Sequence, residues 1–155
     1  MELESIILTI NRLIDFWSSQ EIKTTTIQLV EIDLIERELN LKLPSDFKKF
    51  YSRANGMLDF YPNEIDKEGF LFYPVEVIVS VNTEFENCEI INRDKIFIFA
   101  EYMHKSWWYG FELKDGNEYV IGIISDSSTF KPITYSLEEF IELYIEDSPK
   151  LYNYF

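Results

Sequence analysis

The stretch ERELNLKLPSDFKKFYSRANG, Glu36 to Gly56, ties two amphipathic helices together through a Leu-Pro elbow and ends on Asn-Gly. Upstream of the elbow, Ile32, Ile35 and Leu39 recur at three- and four-residue spacing and so share one helical face. Pro44 has no amide hydrogen and biases Leu43 away from helix, so the first helix must end before it. The second helix opens at Pro44 or Ser45, with Asp46 in its first turn complementing the positive end of the dipole. Phe47, Phe50, Tyr51 and Ala54 form its apolar stripe; Lys48, Lys49 and Arg53 take the other face. Gly56 suits the left-handed residue that closes such a helix.

Working outward, Ile6, Ile7, Ile10, Leu13, Ile14 and Trp17 predict an earlier helix over Leu3–Trp17. Residues 18–26 form a linker. Ile27–Val30 reads either as an extended approach or as a first helical turn, with Thr25 and Gln28 at capping-box spacing. After Gly56 the pattern changes to short aromatic runs, Met57–Tyr61 and Phe70–Tyr73, separated by an acidic turn-rich loop. Pro74–Val79 fits a strand or a short helical turn, and Val81–Asn92 is polar and irregular. Ile96–Glu101, Ser106–Leu113 and Glu118–Ile124 read as strands, the last two joined by a Lys114–Asn117 hairpin turn. Ser136 with Glu139 predicts a capping box before a last helix that buries Leu137, Phe140, Ile141, Tyr144 and Ile145. The aromatic tail 151–155 is expected to dock back. Helices, then strands, then a helix imply one α+β domain over residues 1–155, with a mostly antiparallel, mixed sheet flanked by N-terminal helices and a C-terminal helix.

Composition narrows the function classes. The chain of 155 residues carries 28 acids against 14 bases, a net charge of −14. Residues 57–94 alone hold nine acids and two bases. Such a body repels nucleic acid and anionic membranes and attracts basic proteins. Aromatics at 17% exclude disorder. The lone Cys88 excludes an internal disulfide framework and fits a reducing compartment. The N-terminus lacks a signal-peptide pattern and no apolar run reaches membrane-spanning length, so a cytoplasmic location is expected.

No catalytic or metal-binding constellation is present in the sequence. His104 is the only histidine and neighbours Lys105, which suits a loop. Cys88 has no histidine near it in sequence, and Glu101 ends a strand without an evident partner. Phosphate loops, nucleophile elbows and calcium-loop spacings are missing. No enzyme, metal or cofactor is expected. In the strand Ser106–Leu113, Trp107, Tyr109 and Phe111 point one way and Trp108 the other, so Trp108 is a candidate contact residue. Asp59, Glu64, Asp66, Glu68, Glu84, Glu86 and Glu89 form an acidic middle fit to steer a basic partner.

The residues Ile32, Ile35, Glu36, Leu39, Leu43-Pro44, Phe47, Phe50 and Asn55-Gly56 resemble the signature of the SUKH superfamily. That superfamily includes the cell-wall (glucan) synthesis regulators of the Smi/Knr type and many bacterial immunity proteins. Phe72-Tyr73-Pro74, Ile98–Glu101 and Ser136–Phe140 extend the likeness over about residues 30–147. Asn40 stands where the family usually has Gly; it too tolerates the left-handed conformation. The resemblance implies an α+β fold and a binding role without catalysis: neutralisation of a cognate, basic, nuclease-type toxin domain by occlusion. A regulatory scaffold like the fungal regulator is the alternative, and a small-ligand domain beside Trp108 a second.

Overall fold

The computed structural model describes residues 4–57, 66 and 68–152. Three helices come first: α1 (Ser5–Ser19), α2 (Leu29–Leu39) and α3 (Ser45–Arg53). Six strands follow: β1 (Phe70–Phe72), β2 (Val79–Ser80), β3 (Ile96–Tyr102), β4 (Trp107–Leu113), β5 (Tyr119–Asp126) and β6 (Thr129–Thr134). A one-turn α4 (Val81–Glu84) sits between β2 and β3, and α5 (Leu137–Ile145) closes the fold. The sheet runs β1-β3-β4-β5-β6, with β2 also on β3. Every pairing among these strands is antiparallel. The α+β architecture is the one expected from the order of elements.

The elbow residues explain why the helices sit where they do. Asn40 ends α2 at φ 54°. The Glu36 carboxylate then accepts the Leu43 amide at 2.6 Å and pairs with Lys48 at 3.3 Å. One side chain thus caps the elbow and ties α2 to α3. Phe47 and Phe50 are fully buried; Phe47 packs on Phe111 at a ring separation of 4.5 Å and edge-on to Phe99. Asn55 joins three segments: its amide donates to Thr25 O, its Oδ1 accepts the Val75 amide, and its Nδ2 donates to Glu76, each at 2.8 Å. Gly56 has φ +65°, but it lies two residues beyond the extended Ala54 that caps α3. A Cβ there would stand 2.4 Å from Tyr73 O, so glycine is required by close approach as well as by dihedral angle.

Several expectations change in detail. Ile27 is a buried, extended approach; α2 starts at Leu29, and Gln28 caps it without a side-chain hydrogen bond. Pro74–Val79 divides into a 3-10 turn, Val75–Val77, and the short β2. Ser136 caps α5 through the Glu139 amide at 3.0 Å, but the Glu139 carboxylate bonds Thr134 Oγ1 rather than closing a reciprocal box. The tail docks as a 3-10 turn, Pro149–Tyr152, with Leu151 fully buried and its carbonyl accepting the Tyr109 hydroxyl at 2.6 Å. Residues 153–155 of that tail and most of Met57–Tyr61 lie outside the described residues.

The sheet has two unlike faces. The inner face packs Phe72, Phe97, Phe99, Tyr109, Phe111, Ile121 and Ile123 against α1, α3 and α5. A register shift between Ile98 and Ala100 turns Ala100 inward after Phe99 and sends Glu101 to the outer face, where it accepts the Tyr73 hydroxyl at 2.8 Å. The outer face carries a smaller cluster of Tyr73, Val81, Cys88, Ile90, Ile96, Ile98 and Ile124.

Candidate protein-binding surface

The outer face is roofed in part by the segment from Val81 to Lys95. This arm has little regular structure, yet it is held at several points. Val81, Cys88 and Ile90 are its buried feet on the sheet. Ser80 caps α4 by accepting the Asn82 amide at 3.1 Å, and Asn82 Nδ2 donates to Asp94 at 2.8 Å. The Glu89 amide donates to Ser127 O at 2.7 Å, tying the arm to the β5–β6 turn. Asn92, left-handed at φ 64°, donates from Nδ2 to Glu112 on β4 at 2.8 Å.

Among the described residues, three concavities border the arm. The largest of the three, about 500 Å³, is walled by Asn82, Phe85, Glu86, Asn87, Cys88, Glu89, Arg93 and Asp94, three acids against one base. A second, about 230 Å³, lies between the arm and β6, lined by Ile90, Ile91, Asn92, Glu112, Ser128, Phe130 and Pro132. A third, about 170 Å³, continues past Asn92 and Glu112 to Leu113, Lys114 and Asp115. Ile91 stands at the rim with 84% of its surface exposed, although Ile90 beside it is buried. Glu112 is the reverse, a carboxylate only 8% exposed in the floor; besides Asn92 it meets Lys114 at 3.3 Å.

Among the described residues, the acids named from sequence are not all on the surface. Glu86 and Glu89 are exposed on the wall of the largest concavity. Glu84 is half-buried nearby and pairs with Lys105 at 3.3 Å. Glu68 is exposed at the entry to β1. Asp59 and Glu64 lie outside the described residues. Asp66 is not a surface group at all: it is 6% exposed. Its Oδ1 accepts the amides of Glu68, Gly69 and Phe70 at 2.8–2.9 Å. Its Oδ2 takes the hydroxyl of Tyr144, which in turn accepts Trp17 Nε1 at 3.0 Å. Burial pushes the Asp66 carboxyl above the usual range, against the lowering effect of Tyr144 and the three amides. The turn at 66–70 needs an acceptor for three converging amides, which is why an acidic residue sits inside.

Trp108 faces outward from the sheet as alternation predicts, but Phe85 of the arm covers it edge-on at a ring separation of 4.8 Å. It is half-buried, and its Nε1 has no partner among the described residues. Trp107 packs inward, stacking on Tyr102 and donating to the Tyr109 hydroxyl at 2.9 Å. His104 is exposed in the β3–β4 turn, in a run of three left-handed residues, Met103 to Lys105. Cys88 is a buried packing residue of the outer cluster. Among the described residues no group of three or more His, Cys, Asp or Glu is arranged to hold a metal ion, and no helix is long and apolar enough to cross a membrane.

Sequence reasoning missed Ile91, Glu112 and Phe130. Glu112 did leave a signal: it is the one charge within the apolar strand Trp107–Leu113, on the same face as Trp108. Ile91 left none, because an exposed isoleucine beside a buried one in an irregular arm has no period to reveal it.

Helices α1, α3 and α5 lie on one face of the antiparallel sheet, and the arm with its recess lies on the other, in an α+β fold. A family model places it further: residues 26–143 match the SMI1/KNR4 family (SUKH-1), and the chain belongs to that family. Comparison with curated proteins returned no match. The matched span includes all the elbow residues and ends within α5.

Proposed function

We propose that this chain is an immunity-type binding domain that neutralises a basic toxin domain, one to one, by covering it. The observation that carries the reading is the recess on the outer sheet face, preformed by the pinned arm and edged by Glu86, Glu89 and Asp94. A net charge of −14 speeds encounter with a cationic partner, and the exposed Ile91 supplies apolar area once contact is made. The chain itself performs no chemistry in this reading; it occludes. Nuclease-type toxins fit because a protein that grips nucleic acid phosphates presents the basic surface this one attracts. The encounter takes place in the cytoplasm, where toxin and chain meet.

The test is co-expression with the C-terminal domain of the toxin encoded beside this gene, scoring growth. Rescue by the wild type, lost when Glu86 and Glu89 are both changed to Lys, is the expected result. The helical-side variant L34K should rescue as the wild type does, since Leu34 is exposed on α2 away from the recess. Equal rescue by this double charge reversal, with no change in the salt dependence of association, refutes this docking surface. Absence of rescue by the wild type refutes the toxin reading.

A further inference from the structure

We infer that the 230 Å³ recess between the arm and β6 is a pocket for one long basic side chain, arginine in the first place, presented by the protein partner. This rests on the binding role proposed above and names the chemistry of its central contact. The walls are apolar: Ile90 and Ile91 from the arm, Phe130 and Pro132 from β6. The floor is the Glu112 carboxylate, and Ser128 stands at the side. An aliphatic stem with a cationic head matches that division, because such side chains lay their methylenes on apolar surface and keep the charge on a polar group.

Other occupants fit less well. An apolar side chain would seal Glu112 from water without giving it a new donor, which is costly for a carboxylate. An anionic group would meet Glu112 directly. Glu112 has capacity for a further donor. Its Oε2 is held by Asn92 at 2.8 Å, but Oε1 has only Lys114 at 3.3 Å, and that lysine is nearly half exposed. A carboxylate has about four lone-pair sites, so a guanidinium can bind beside Asn92 and displace the loose Lys114 contact. Arginine is preferred to lysine because its planar, weakly hydrated guanidinium lies flat on apolar walls and loses less freedom per hydrogen bond to the carboxylate.

The walls are also preorganised. The backbone at Ile91 is held between the buried Ile90 and the left-handed Asn92, whose side chain bonds the floor residue itself. The stem therefore meets a formed surface, which lowers the ordering cost of binding.

The experiment uses the full chain, 15N-labelled, titrated with N-acetyl-arginine-methylamide and, separately, with the citrulline analogue, which has the same shape without the charge. Arginine should shift the amides of Ile91, Asn92, Glu112 and Ser128 in a saturable way; citrulline should not. E112Q should weaken binding about tenfold, the loss of a charge-assisted hydrogen bond. I91S removes stem contact at an exposed position that does not threaten folding, and should weaken binding about threefold, the effect of losing part of one apolar side chain's contact. Equal shifts with citrulline, or shifts spread over the acidic surface and unchanged in E112Q and I91S, overturn the pocket. The two proposals fail separately. Arginine binding here with no toxin neutralised removes the function and leaves the pocket. Neutralisation retained in E112Q with no arginine shifts removes the pocket and leaves the function.

Discussion

Two buried tyrosine hydroxyls set up a contrast that one pair of variants can measure. Tyr51 on α3 is 0% exposed and its hydroxyl has no hydrogen-bond partner among the described residues. Tyr144 on α5 is buried too, but its hydroxyl donates to Asp66 and accepts from Trp17 Nε1. Burial pushes both phenols far above their ordinary range, so both are protonated at neutral pH. Replacing Tyr51 by Phe removes a polar group that was desolvated for nothing in return. An unpaired buried hydroxyl costs about 1–3 kcal/mol, and deleting it loses one oxygen's worth of packing, so Y51F should gain about 1 kcal/mol. Replacing Tyr144 by Phe strips a hydrogen bond from a carboxylate, worth about 1.5–3 kcal/mol, and also orphans the Trp17 indole, so Y144F should lose about 3 kcal/mol. For a chain of this size 1 kcal/mol moves Tm by about 2–4 °C, so thermal unfolding should show Y51F a few degrees higher and Y144F about 6–12 °C lower. Urea titration gives the same ordering through the midpoint at constant slope. A loss of 1 kcal/mol or more in Y51F would refute the claim that its hydroxyl is unpaired, and a neutral Y144F would refute the network.

The other expectations follow from the same accounting. G56A puts a Cβ 2.4 Å from a backbone oxygen at a positive φ, and should cost about 3 kcal/mol or more by urea unfolding; a cost under 1 kcal/mol contradicts the close approach. E36A releases the Leu43 amide and Lys48 together and should cost about 2 kcal/mol, with faster amide exchange at Leu43 as the local sign. Asp66 gives a pH signature. Its folded carboxyl is raised by burial, so its contribution to stability is full below the unfolded carboxylate value and is lost as pH rises through the folded one. The stability difference between wild type and D66N should therefore shift against the wild type as pH rises across that window. A difference that is flat in pH, or that moves the other way, counts against the raised value.

The helical half was legible because its signals are local. Periodicity, the Leu43-Pro44 break, the left-handed Asn40 and the Ser136 cap are each set by residues within one turn of one another, and each stands where it was read. The strands β3, β4 and β5 were legible for the same reason, being apolar and bounded by turn residues. β6 was not. Asp126–Ser128 reads as a turn, and Pro132 argues against a strand; the proline is tolerated because β6 closes the sheet and has no further strand to satisfy. The arm was illegible for a different reason. Val81, Cys88 and Ile90 are buried by tertiary contact with the sheet, at spacings of seven and two residues that share no single period. Asp66 was misplaced on the surface because charge counting cannot see direction: Asp66 and Glu68 are two residues apart, and one is buried while the other is exposed.

The two faces of the sheet divide the side chains that hold the fold from those that edge the recess. Glu36, Leu43, Phe47, Phe50, Asn55 and Gly56 act on the helical side, capping the elbow, filling the inner core or fixing the turn before β2. None of them reaches the recess. Glu86, Glu89 and Ile91, which edge the outer face, are exposed, and exposed side chains away from special backbone positions change stability by only about 0.5 kcal/mol when replaced. The arm can therefore be re-lettered with little penalty to folding so long as its buried feet and the Asn92–Glu112 tie remain. Variants I91D and E89R, alone and together, test this: each should unfold within about 0.5 kcal/mol of the wild type while altering partner affinity by more than that, as expected of a hot-spot rim rather than of a core. A loss of 2 kcal/mol or more in either single variant would mean that the arm belongs to the folding core and is not free to be retuned.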